Sequence, residues 1–258
     1  MNLRETGSQA GNLRHHDAGW SHPPAGALGA TLLYSNDFES PAGFVDTTGK
    51  DVSQQTVDSL YSLAGFQFQQ TFTVETLHIT GGVAFGTGYS DPAGTGGSYA
   101  LGMLSSVQND LAALTFDVGS FSFLNVGMDI SAIDLDGVGG PFGVAQPIFR
   151  LRLYDTPSGS FSFASPGTLL STVDVTGTGA PDRQVFSWTS VVGALDASSA
   201  TNGNVTLVVD LIQSGYASFD NLVIAASNTP GDVPEPGAAW LLLGTGLVAL
   251  GTRARRRP

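Results

Sequence analysis

Residues 31–232 contain one histidine, His78 in TLHITGG, among many serines and carboxylates. Ser-His-carboxylate catalysis needs a histidine that reaches a nucleophile, and no G-x-S-x-G turn presents a serine to it. His78 is therefore expected to be a satisfied strand histidine. Cysteine is absent, which removes thiolate nucleophiles, thiolate metal sites and disulfides together. Any metal chemistry would fall to oxygen ligands. The run DLDGVGG (134–140) has the aspartates and glycine of a calcium loop. Ala132 and Gly143 stand where its first ligand and closing glutamate belong, so it reads as an Asp-Gly turn. The glycines of GTGYSDPAGTGG (86–97) come with no lysine and no following helix, which argues against a phosphate cradle. Glycoside hydrolysis asks for two carboxyl groups facing one bond. Glu39 and Glu75 are the only glutamates between 31 and 232, and no spacing singles out a pair. The body is expected to be non-enzymatic, with a polysaccharide hydrolase as the less favoured alternative.

Binding chemistry is better supplied. Trp188, in VFSWTSV, is the only tryptophan of the body and the first candidate for stacking on a sugar; Tyr89, Tyr99, Tyr154 and Tyr216 follow. Arg150 and Arg152 share one face of IFRLRLY and could bond a glycan, but so acidic a body is expected to pair them with aspartates. Residues 31–232 carry four basic side chains (Lys50, Arg150, Arg152, Arg183) against nineteen carboxylates, a net of −15. Such a surface repels a phosphate backbone, so no nucleic-acid partner is expected.

The elements that would hold these residues are short. β-Branched and aromatic runs alternate with Gly, Pro, Asp and Ser clusters, and strands are predicted near 31–35, 69–79, 98–104, 111–118, 121–131, 147–155, 168–175, 184–190, 205–212 and 217–225. In IFRLRLY, Phe149, Leu151 and Leu153 alternate with the two arginines. In NVTLVVDLI both faces are largely apolar, which predicts a strand covered on both sides. The apolar phase slips by one residue between Phe123 and Leu124, as at a β-bulge. Short helices or turns are expected at 56–65 and 190–199. About ten such strands without a fixed repeat predict an all-β, jelly-roll-like β-sandwich over 31–227.

The two ends differ from this body. Residues 1–30 hold His15, His16 and His22 but no apolar run of the length a secretory signal requires, and they read as a disordered segment. Residues 228–233 read as a linker. Residues 234–258 form three parts in order: Pro234-Glu235-Pro236, an uncharged stretch 237–252, and Arg253, Arg255, Arg256 and Arg257. The middle part holds Trp240, Leu241, Leu242, Leu243, Leu247, Val248 and Leu250 and is apolar all round. As a helix it would reach about 24 Å at about 1.5 Å per residue, a short but feasible membrane span. The arginines favour the cytoplasmic side, which puts the body on the other.

This tripartite end closely resembles the PEP-CTERM sorting signal of exported bacterial proteins. The resemblance implies that Pro234, Glu235 and Pro236 are recognised by exosortase, a membrane protease-transpeptidase. It also implies that the apolar helix holds the chain transiently in the inner membrane of a Gram-negative cell. The body would then be released or attached at the cell surface, in association with exopolysaccharide and biofilm. Members of that family carry an N-terminal Sec signal; residues 1–30 show none, so a mis-assigned start is expected.

The two ends of the body, SNDFES and ASFDNLVIAAS, resemble the opening and closing strands of carbohydrate-binding-module-like jelly rolls. That resemblance implies that the two strands lie side by side. It further implies a structural Ca²⁺ with Glu39 and Asp220 as ligands, completed by backbone carbonyls. It also makes a lectin-like module the main alternative to a purely structural envelope protein.

Overall fold

The computed structural model describes residues 29–63, 67–71, 74–104, 110–135 and 145–234. Residues 1–28 of the disordered segment expected at 1–30, most of the Asp-Gly turn and the apolar helix expected over 237–252 lie outside these residues. Among the described residues twelve strands occur where about ten were predicted: β1 (Thr31–Asn36), β2 (Val52–Ser53), β3 (Gln69–Thr71), β4 (Glu75–His78), β5 (Tyr99–Leu104), β6 (Leu111–Asp117), β7 (Phe123–Ala132), β8 (Ile148–Asp155), β9 (Thr168–Thr176), β10 (Thr189–Asp196), β11 (Asn204–Gln213) and β12 (Tyr216–Ser227). A short helical turn, α1 (Val57–Leu60), is capped by the Thr56 hydroxyl, which accepts the Ser59 N–H; a 3-10 turn follows at Ala84–Gly86.

The strands form two antiparallel sheets, an all-β sandwich. One runs β10-β7-β12-β5-β4-β2, with β1 also paired to β12; the other runs β3-β6-β11-β8-β9. The opening and closing strands of the body do lie side by side, with Thr31 opposite Ala226 and Asn36 opposite Leu222. Between the sheets, Phe149, Leu151 and Leu153 of β8 meet Val126, Ile130, Phe219 and Ile224 from β7 and β12, all fully buried. Each such side chain contributes about 1.5–3 kcal/mol on leaving water, which explains how the fold dispenses with covalent staples. β11 is covered on both faces, with Leu207 and Val208 alike buried.

Three expectations change. The run 69–79 is two strands in different sheets, since β3 pairs with β6 while β4 pairs with β5. The strand expected at 184–190 begins at Thr189 and continues through 190–196, where a short helix or turn was predicted. Pairing of Thr189–Asp196 with β7 decides this, because the segment's own alternation is weak and one face of this edge strand is exposed. The phase slip at Phe123–Leu124 falls where the chain leaves the turn at 119–120 and enters β7. The bulge of this region sits in β12 instead: Asp220 faces Asp129 and Val223 faces Gly127, so β12 holds one extra residue.

Candidate functional site

Three regions concentrate chemistry, and all of them belong to the seven-stranded sheet. The first is the exit of the chain toward the sorting motif. Residues 228–233 are pinned along β7. Asn125, fully buried, donates its amide hydrogens to Ser227 Oγ at 2.9 Å and to the carbonyl oxygens of Thr229 and Asp232 at 3.3 and 3.2 Å. The Ser122 N–H donates to Asn228 Oδ1 at 3.1 Å, and Val233 lies over Gly127. Pro234 is half-buried; Glu235, Pro236, Trp240 and the remaining tail residues lie outside the described residues. No helix among the described residues is long and apolar enough to cross a membrane.

The second is the junction where the edge partner of β12 changes from β5 to β1. The bulge places Asn221 in the left-handed region (φ 49°), and its amide donates to Asp129 Oδ2 at 2.9 Å and to the Thr95 carbonyl at 3.2 Å. Asp220 is 1% exposed and accepts the Asn221 N–H at 2.6 Å. Burial first, then the carboxylates of Glu39, Asp129 and Asp37, push the Asp220 carboxyl up to about 9. Glu39 follows β1 and spans the gap to the start of β5. Both its oxygens accept the Ser98 N–H at 2.9 Å, and Oε1 also accepts the Tyr99 N–H at 3.1 Å. The fold thus brings Glu39 and Asp220 together. No described basic side chain pairs with either. Asp220 Oδ2 accepts no hydrogen bond among the described residues, and the donor set is all oxygen, which fits a hard divalent cation. Among the described residues no three His, Asp or Glu side chains form a metal-binding group by themselves. A cation here would need backbone carbonyls to complete its shell.

The third is a layer outside the sheet, where Leu77, Ile79, Ile133, Phe186 and Tyr216 form a second apolar cluster. Trp188 belongs to it: the indole stacks on Phe186 at 5.2 Å, its Nε1 is buried without a hydrogen-bond partner, and Gly96 sits directly against the ring. Beside this cluster a cavity of about 210 Å³ opens, lined among others by Lys50, Gln54, Glu75, Phe85, Tyr89 and Tyr216. Asp51 and Gln184, which carry no local signal in the sequence, shape one wall. Asp51 is buried at φ 59°, and its carboxylate accepts the Val83 and Ala84 N–H groups, each at 2.8 Å. Gln184 donates its amide to the carbonyls of Ala84 at 2.7 Å and Gly88 at 3.1 Å. Asp46 ties the opposite loop by accepting the N–H groups of Thr48, Gly49, Lys50 and Asp51.

The remaining candidates have structural partners. His78 stacks on Tyr99 at 4.8 Å within a cluster that includes Phe44. Arg150 pairs with Asp174 at 2.7 Å and Arg152 with Asp210 at 2.8 Å, as the charge balance predicted.

Residues 232–257 match the family described as the PEP-CTERM protein-sorting motif, which implies an exported protein. No curated protein matches the chain. Among solved structures the chain is similar to the K3 cleaved adhesin domain of Lys-gingipain from Porphyromonas gingivalis, at 13% identity and TM-score 0.41 over 76% of this chain and 99% of that one. It is also similar to the CBM22-1 xylan-binding domain from Paenibacillus barcinonensis, at 11% identity and TM-score 0.38 over 78% and 97%. A cyclase from Fischerella matches at 15% identity and TM-score 0.42 over 78% and 98%. None of these likenesses bears on ligand or activity here.

Proposed function

We propose that this chain is an exosortase-processed, non-enzymatic protein of the cell envelope or extracellular matrix, associated with exopolysaccharide and biofilm. The sorting motif at 232–257 is the observation that carries the reading. Prolines at 234 and 236 keep the recognition stretch out of helical geometry, as a protease groove requires. The apolar run behind it holds the chain in the inner membrane until cleavage, with the four arginines on the cytoplasmic side. The strongly acidic body, −15 over residues 31–232, suits a soluble extracellular life. Expression in an exosortase-bearing host with an epitope tag after Pro258 tests it. The tag should be lost from wild type and retained when Pro234, Glu235 and Pro236 are replaced by alanine. A body that stays in the cytoplasm, or identical processing of both forms, overturns the reading.

A second reading treats the body as a jelly-roll module that binds carbohydrate. The cavity beside β2 and β4, with its mixed aromatic and polar lining, favours it. On this reading Trp188 contributes to ligand binding, and its stacking on Phe186 makes that contribution one of support beneath the cavity. A structural Ca²⁺ held by Glu39 and Asp220 goes with the same reading. It would neutralise a buried carboxylate that has no basic partner and would brace β1 against β12 and β5.

A further inference from the structure

The cavity lined by Lys50 and Glu75 has a more specific chemistry than a general sugar surface. Lys50 is the only lysine of the chain. In a body this acidic it nevertheless forms no ion pair among the described residues, and its ammonium lies 4.6 Å above the Phe85 ring at the cavity wall. Glu75, half-buried on β4, accepts the Gln54 amide at 3.1 Å on Oε1 and the buried Tyr216 hydroxyl at 2.9 Å on Oε2. These two donors fix the carboxylate plane and leave each oxygen a lone pair for a further donor.

The walls are held in place before any ligand arrives. Phe85 stands at φ 49° and Asp51 at φ 59°, left-handed conformations that are strained in a non-glycine residue. The Asp51, Gln184 and Asp46 hydrogen bonds hold both loops in those conformations. Backbone strain offset by dedicated side chains, all beside one cavity, is characteristic of a pre-organised binding wall.

Size and charge then select the ligand. Pockets for drug-sized molecules run to about 300–1,000 Å³, so a cavity of about 210 Å³ takes one ring. Phe85 and Tyr89 suit the C–H face of a pyranose, Glu75 and Gln54 suit hydroxyl groups, and Lys50 suits a single negative charge. Glu75 in the same cavity disfavours a dianion such as a phosphate monoester. We propose that this cavity is a binding subsite for one uronic acid unit, with hydroxyls on Glu75 and Gln54 and the carboxylate on Lys50. The proposal rests on the carbohydrate-binding reading of the body and is independent of the sorting tail.

Titration calorimetry and ligand-observed NMR on the full chain test it, with glucuronate, galacturonate, methyl glucoside and neutral xylo- and cello-oligosaccharides as probes. A uronate should bind at least tenfold more tightly than methyl glucoside. Lys50→Met should abolish that preference, and Lys50→Arg should keep most of it. Lys50 is exposed, so both variants should retain the wild-type melting temperature. Uronate binding that Lys50→Met leaves unchanged overturns the subsite. Binding of neutral oligosaccharides alone also overturns it while leaving the carbohydrate-binding reading intact. No binding by any saccharide overturns both.

Discussion

The Asn125 side-chain oxygen accepts the Gly231 N–H at 2.8 Å while the nitrogen of the same amide holds Ser227, Thr229 and Asp232. One buried side chain in β7 thus fastens the last residues before Pro234, and only Val233 separates the fastened Asp232 from that proline. The segment expected to be a linker, 228–233, is hydrogen-bonded to β7 where it leaves the body.

Asn125→Ala should lower stability by about 2 kcal/mol, because it takes away the partner of the Gly231 N–H and of the Asp232 carbonyl. It should also release residues 228–234. Urea unfolding reads the first effect and limited proteolysis with mass spectrometry the second. Unchanged cleavage of this segment would show that Asn125 is not what holds it.

The Asp220 carboxyl, about 9 in the folded body against an ordinary value of 3.8, makes stability depend on pH. Between those values the folded state keeps a proton that the unfolded chain has released. Its contribution is therefore present in full below about pH 4 and lost as pH rises toward 9. In EDTA the melting temperature should fall over that window, and Asp220→Asn should flatten the fall. Ca²⁺ should raise the melting temperature of wild type at pH 7–8 and leave the variant unchanged. A melting temperature indifferent to EDTA at every pH removes calcium from Glu39 and Asp220.

Two neighbouring arginines should behave differently. Arg150 and Asp174 form a bidentate pair at the surface, whereas the Arg152 partner, Asp210, is 3% exposed with Oδ1 lacking any hydrogen bond. Arg150→Met should leave stability close to wild type, because an exposed ion pair contributes little. Arg152→Met should cost about 3–5 kcal/mol, because it strands a buried charge. Chemical denaturation of the two variants side by side checks the contrast, and equal costs would refute it.

Gly97 adopts φ +54°, and a Cβ added there would clash with Glu39 Oε1. Gly94 adopts φ +67° with nothing within 4 Å of such a Cβ. Gly94→Ala should therefore show only the conformational penalty of about 1 kcal/mol. Gly97→Ala should lose more, because Glu39 must give up its bonds to Ser98 and Tyr99. Thermal unfolding of both variants measures the difference, and equal losses would mean that Glu39 yields freely.

Some of this was legible in the residues themselves. The alternation of IFRLRLY places Phe149, Leu151 and Leu153 inward, and β8 follows it. The pairing of Arg150 and Arg152 with aspartates followed from the charge balance. Where the pattern is weak, context decided: Thr189–Asp196 is a strand because β7 offers it a ladder, and 69–79 divides because its halves find different sheets. Asp51 and Gln184 were not foreseen, since their positive φ and their bonds to the 83–88 loop depend on chain that lies 32 to 100 residues away.

The sequence by itself determined the sorting end and the strands with clean alternation. A sorting motif is a linear string, and alternation is a property of neighbouring residues, so neither needs a distant partner. Only the tertiary structure decided that Glu39 lies near enough to Asp220 to act on its charge, that Lys50 and Glu75 share a cavity, and that Asn125 fastens the chain before Pro234. Periodicity states which face of a strand a side chain occupies. Which neighbour it meets there depends on the register between strands far apart in the chain, and that register is set by packing the whole sandwich at once.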